Sequence, residues 1–162
     1  MASFSPMTRE LRQAYLGTLI TLVVQFMLGM ATNLFVQIPT DHPGANPPEY
    51  FSGVAQSVTW AILHGPSIWL VLHAVLGLLI VFSAFGLLFR TVRTRNRLAI
   101  TTSVIGALAV LAAGFNGGSY LNYHEDFSSM IMATFFAIAV TAYLVGLFGL
   151  PPQQESPTPA AR

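Results

Sequence analysis

Four histidines, His42, His64, His73 and His124, are the side chains of this 162-residue sequence best suited to chemistry. Lysine and cysteine are both absent, which excludes disulfides, iron–sulfur clusters, zinc–thiolate sites and cysteine nucleophiles. Imidazole remains as the metal ligand and as the group that exchanges protons near neutral pH. No nucleophile elbow, His-Glu-x-x-His pair or phosphate-binding loop accompanies the histidines, so no pattern in the chain compels an enzyme.

The elements that must position these histidines follow from the charges. Only 8% of the residues are charged and 54% are hydrophobic, against about a quarter charged in an ordinary soluble domain. The charges leave four long gaps: Arg12 to Asp41, Glu49 to Arg90, Arg97 to Glu125 and Asp126 to Glu155. A helix of roughly 20 apolar residues crosses a hydrocarbon layer about 30 Å thick. Each gap holds one such helix, which predicts an all-α, four-helix transmembrane bundle with up-down-up-down topology. The predicted spans are about 13–36, 67–89, 98–116 and 127–149 within a membrane domain of 13–150. A cytoplasmic segment, 1–12, precedes it, and a Pro/Gln/Ser-rich tail, 151–162, reads as disordered. The first span is longer than the apolar core of a secretion signal, so it is read as uncleaved.

Orientation follows from arginine. Arg9 and Arg12 precede the first span, and Arg90, Arg93, Arg95 and Arg97 lie between the second and third. The other two connections carry only acids, so both termini are expected in the cytoplasm, with the protein multi-pass in the plasma membrane. A net charge of +1 argues against a nucleic-acid partner; the lipid bilayer is the expected surroundings. The first span has no carboxylate, which argues against proton-coupled antiport. Gln25, near its middle, should face another helix, because an amide in lipid needs a partner.

The outer loop, 37–57, is stiffened by Pro39, Pro43, Pro47 and Pro48. Asp41 and His42 within it are expected to be solvated. An interfacial helix over about 54–64 should follow, broken from the second span at Gly65-Pro66. Gly106, Ala109, Ala113 and Gly117 put small residues on nearly one face of the third span, which favours close helix packing. The segment Asn116 to Asp126 reads as a short polar loop, with His124 opening the fourth span.

His73 lies 17 residues before Arg90, about 25 Å along a helix. That depth is inside the hydrocarbon, and an ionisable group there is a functional candidate. Gly77, one turn further on, leaves a flat hollow beside the imidazole. One reading is a neutral His73 hydrogen-bonded to Asn116 or to a backbone carbonyl. Another is axial ligation of haem iron in the core of a bundle. His64 is nine residues from His73 and would lie on the opposite face of an unbroken helix. A third option is an outer zinc or copper site drawn from Asp41, His42, His64, His124, Glu125 and Asp126.

The run His73-Ala74-Val75-Leu76-Gly77-Leu78-Leu79-Ile80, then Gly114-Phe115-Asn116-Gly117-Gly118, then His124-Glu125-Asp126-Phe127-Ser128-Ser129-Met130, resembles one half of the haem A synthase family. It is similar also to stand-alone four-helix membrane proteins of actinobacteria. Each half in that family is a four-helix bundle holding haem through histidines on its second and fourth helices. The resemblance implies haem b on His73 (or His64) and His124, with ring clearance at Gly77 and Gly117 and hydrogen-bonding partners in Asn116 and Ser128. The chain is one half only and lacks the acidic residue before the helix-2 histidine, so haem A synthesis itself is not implied. Two functions are therefore expected: a b-type, cytochrome-like accessory protein with haem in the outer half of the bilayer, or a cofactor-free structural or assembly subunit of a larger respiratory or other membrane complex. In the second, the small-residue face of the third span and the helix near 54–64 would be contact surfaces.

Overall fold

A computed structural model describes residues 6–150. They form five helices, α1 (Pro6–Phe35), α2 (Tyr50–His64), α3 (Ile68–Thr94), α4 (Arg97–Tyr123) and α5 (Asp126–Gly149), with no strand among the described residues. α1, α3, α4 and α5 are each long and apolar enough to cross a membrane. The chain is an all-helical, multi-pass membrane protein. The tail expected to be disordered, 151–162, and residues 1–5 lie outside the described residues.

Local chemistry sets the breaks. The Glu49 carboxylate accepts from the backbone N–H groups of Phe51 (3.0 Å) and Ser52 (2.6 Å), starting α2 four residues earlier than expected. Gly65 takes an extended conformation before Pro66, so the break falls where the sequence predicts it. Ser67 then caps α3, and Asn96 caps α4 by accepting from Ala99 N–H at 3.1 Å. Arg95 ends α3 in the left-handed region, with φ 56°.

One boundary differs more. α4 runs on to Tyr123, through the segment expected to be a loop. Gly118 and Leu121 are buried against other helices, and tertiary packing overrides the Gly-Gly-Ser turn signal. His124 closes α4 rather than opening α5: its φ is 54° and its N–H reaches Tyr120 O at 2.8 Å. Asp126 then sits at the N-terminus of α5, where a negative charge suits the helix dipole.

α1 packs against α3 and α5, α4 packs against α3 and α5, and α2 lies across one end of α3 and α4. The main core centres on Tyr15 and Tyr143, both fully buried, with rings edge-on at 6.1 Å. The Tyr15 hydroxyl lies 2.9 Å from Ala99 O, 2.8 Å from Ser103 Oγ and 3.2 Å from Thr102 Oγ1. A hydroxyl in hydrocarbon gains from such partners inside the protein; the Tyr143 hydroxyl, also buried, has none among the described residues. Gly106 and Gly146 make room for these rings: a Cβ at Gly106 would run into Tyr143, and one at Gly146 would lie 2.6 Å from Tyr15 Cε1. The small-residue face of α4 is thus used within the bundle. A second, smaller core joins Ala61, Leu70 and Leu121 beneath α2. Large apolar side chains such as Ile20, Met27, Phe82, Phe89 and Phe148 face outward, as lipid requires.

Candidate functional site: the histidines and the outer cap

His73 sits in the seam between α3 and α1. The Gln25 amide nitrogen donates to the His73 backbone carbonyl at 3.0 Å and lies 3.5 Å from His73 Nε2. Gln25 therefore faces a neighbouring helix, as its depth demanded. Gly29 lies against the ring, where a Cβ would come within 2.9 Å of His73 Cε1. Gly77 does leave a hollow, but the Gln25 amide fills it, 3.0 Å from where a Cβ would stand. Asn116 is not the partner of His73; it donates to Ala112 O of its own helix at 2.9 Å. Gly117 is likewise filled, by the Met132 sulfur at 3.4 Å. Ser128 is buried in the first turn of α5, with its N–H on Glu125 O. Gln25 Oε1 and His73 Nδ1 are buried without a partner among the described residues. A flat cofactor stacked on His73 would have to displace Gln25 and the close contact at Gly29.

His124 belongs to a different group. Its ring neighbours are His42, at 6.1 Å between centroids, and Tyr120, at 6.3 Å. His124 Nε2 is buried and has no partner among the described residues.

His42 corrects an expectation: it is 8% exposed, not solvated. Its ring stacks on Trp60 at 4.1 Å with a 10° interplanar angle. Nε2 lies 3.1 Å from Leu121 O and Nδ1 lies 3.0 Å from Pro43 O. Leu121 is in the last turn of α4, where carbonyls lack an intrahelical partner, and the imidazole supplies one. A neutral ring can donate to one of these two carbonyls, an imidazolium to both. No periodicity in the sequence flags this contact, because His42 lies in a loop and its partners are 18 and 79 residues away.

Asn122, fully buried, ties the cap together. With its NH2 turned toward the backbone, the amide reaches Gly44 O and Gly118 O at 3.2 Å and accepts from Val54 N–H at 3.3 Å. Ser57 Oγ lies 2.6 Å from the same amide, and Asn46 N–H donates to Asn122 O at 2.9 Å. Tyr50 adds a hydroxyl contact to Ser119 at 2.7 Å. Gly44 has φ +93° and lies against Ser57 and Gly53, so only glycine suits that turn. The proline-rich loop and α2 thus form one lid over the end of α4.

His64 stands apart, exposed on α2 beside Trp60 and Leu63 along an open groove of about 380 Å³. Asp41, Glu125 and Asp126 are exposed. No group of three or more histidines and carboxylates could hold a metal ion among the described residues. The outer zinc or copper site is therefore not assembled among the described residues: both nitrogens of His42 face carbonyls, and His64 is exposed on α2.

His42→Ala removes the stack on Trp60 and uncovers Leu121 O. It is expected to cost about 2 kcal/mol and to shift Trp60 fluorescence to that of a wetter indole, read by denaturation and emission spectra. Comparisons with protein-family models, with curated proteins and with solved structures find nothing that matches the chain.

Proposed function

We propose that this protein is a cofactor-free subunit of the plasma membrane that acts by packing beside other membrane proteins. The observation that carries the reading is the seam at His73. Among the described residues, His73 is the only histidine or charged residue well inside a span, and its surroundings are occupied by Gln25 and Gly29 of α1. An interior filled by its own side chains leaves the surface to do the work.

The haem b reading draws less support. It needs His73 and His124 on one ring, with clearance at Gly77 and Gly117. His73 keeps company with α1, His124 with His42, and the two clearances hold Gln25 and Met132. The contact surfaces expected for a subunit also change. Gly106 and Gly117 serve α5, and Val54 and Ala61 are buried beneath α2. The face still available on α2 carries Phe51 and Leu63, each 65% exposed, with Gln56 and Thr59 between them.

The topology we assign is up-down-up-down with both termini cytoplasmic. Opposite directions for neighbouring spans are supported by paired contacts. Gly29 meets His73 while Gln25 meets Gly77, Gly106 meets Tyr143 while Gly117 meets Met132, and Tyr15 meets Gly146 while Phe26 stacks on Phe136. The arginines at one end supply the cytoplasmic assignment.

Digitonin extracts of the native membrane, separated by native electrophoresis, test the subunit reading. The protein is expected in a discrete particle larger than one or two copies of itself. Migration as a lone copy, in extracts whose other complexes stay intact, would overturn it.

A further inference from the structure

We propose that the groove between α1 and α3 at the arginine-rich end holds one anionic phospholipid. The cavity there measures about 300 Å³ and is walled by Gly17, Thr18 and Thr21 of α1 and by Ser83, Gly86 and Arg90 of α3. Its glycines differ from the others in the bundle. Gly29, Gly106 and Gly146 each receive a neighbouring side chain, whereas a Cβ at Gly17 or Gly86 would meet nothing within 4 Å. These two glycines hold a space open rather than bring helices together.

Both walls follow from helix geometry. Gly17, Thr18 and Thr21 share one face of α1, and Ser83, Gly86 and Arg90 recur at three- and four-residue steps on α3. From Arg90 to Ile80, the far lining residue, the groove runs about 15 Å into the span. That depth suits an acyl chain, and hydrocarbon is the solvent available there.

The chemistry at the mouth suits a phosphate. Arg90 makes no hydrogen bond or ion pair within the described residues, and its guanidinium offers the fork that binds phosphate oxygens in pairs. Thr18 and Thr21 donate to Ala14 O and Gly17 O, which leaves their oxygens as acceptors for a glycerol hydroxyl; Ser83 can donate. Among the described residues, the same end carries Arg9, Arg12, Arg90, Arg93, Arg95 and Arg97 against one acid, Glu10. This imbalance favours a net-negative headgroup over a zwitterionic one. Arg93 is not part of the site, because its guanidinium lies over the Phe89 ring at 4.2 Å.

Native mass spectrometry of the full chain in mild detergent tests this, with phosphatidylglycerol, phosphatidylcholine and inorganic phosphate as probes. One phosphatidylglycerol should be retained in preference to phosphatidylcholine, and inorganic phosphate should not displace it. Arg90→Gln should lower retention about fivefold, and Arg93→Gln, which removes the same charge outside the groove, should lower it less. Gly86→Leu should fill the groove and abolish retention; Gly17→Leu does the same from the opposite wall and serves if the first variant fails to fold. Full retention in a folded groove-filled variant would overturn the site, as would equal losses in the two arginine variants. Equal retention of phosphatidylcholine would overturn the anionic headgroup. Displacement by inorganic phosphate would replace the lipid with a free anion.

Discussion

Asn122→Leu is expected to release the outer lid and lower the thermal midpoint by about 10 °C. The replacement is close in size, so the loss comes from hydrogen bonds rather than from a cavity. Asn122 is fully buried, and its amide serves Gly44 O, Gly118 O, Val54 N–H and the Ser57 hydroxyl. Leucine leaves the Gly44 carbonyl and the Ser57 hydroxyl buried without that partner. Each such group costs about 1–3 kcal/mol, so the total is on the order of 3 kcal/mol. The effect should be local: hydrogen exchange should rise across 37–64 and remain slow in α1 and α5. Asn33→Ala, at an exposed position of α1, should change the midpoint little. Uniform loss of protection through the whole bundle would show that the lid is not a separate unit fastened at Asn122.

Gly106→Val should cost about 3 kcal/mol through overpacking. Its Cβ would enter the Tyr143 ring, which has nowhere to go. Tyr143 is fully buried against Tyr15, and Tyr15 is fixed by the carbonyl of Ala99 and the hydroxyls of Thr102 and Ser103. Relief would require α4 and α5 to separate. Gly114→Val makes the same chemical change on the same helix, where a Cβ would meet only Val81 Cγ2, at 3.9 Å. It should be close to neutral or slightly stabilising, since glycine is the poorer helix former. Thermal unfolding in detergent, with size-exclusion profiles for both variants, reads the contrast. Equal destabilisation by the two would mean that the cost belongs to helix propensity and not to the tyrosine pair.

Much of the architecture is legible in the sequence because lipid imposes a simple rule. Charges are excluded over about 20 residues, so the four gaps Arg12–Asp41, Glu49–Arg90, Arg97–Glu125 and Asp126–Glu155 count the spans. Gly65-Pro66 marks a break for an equally simple reason, since proline cannot continue the helix ladder. Gln25 is identifiable as an inward residue because an amide is costly in hydrocarbon. What the gaps do not reveal is which face of each span turns inward. In a soluble helix the apolar stripe marks the core, but here both faces are apolar and the stripe vanishes. Pairing Gln25 with His73, 48 residues away, therefore needed the structure.

The misreadings at the outer end share a cause. Asn116 to Tyr123 has the composition of a turn, yet it stays helical, with Ser119 and Asn122 partnered by the lid. His42 reads as a solvated loop residue beside Asp41, yet it is drawn inward by an unpartnered carbonyl and the Trp60 ring. In both cases a satisfied polar contact, invisible to local pattern, outweighs local propensity. For the site residues suggested by resemblance, local pattern is ambiguous in the same way. Histidines and glycines at helical spacing suit a haem pocket, but they suit a seam filled by Gln25 and Met132 equally well.

The central claim is that the bundle interior is filled by its own side chains and works without a cofactor. The most direct test is the visible spectrum of the protein, purified in mild detergent from haem-supplemented cells and recorded oxidised and then dithionite-reduced. No band above the protein absorbance is expected in either state. A stoichiometric Soret band that sharpens on reduction, and that disappears in His73→Ala, would contradict the account and place haem where Gln25 now lies.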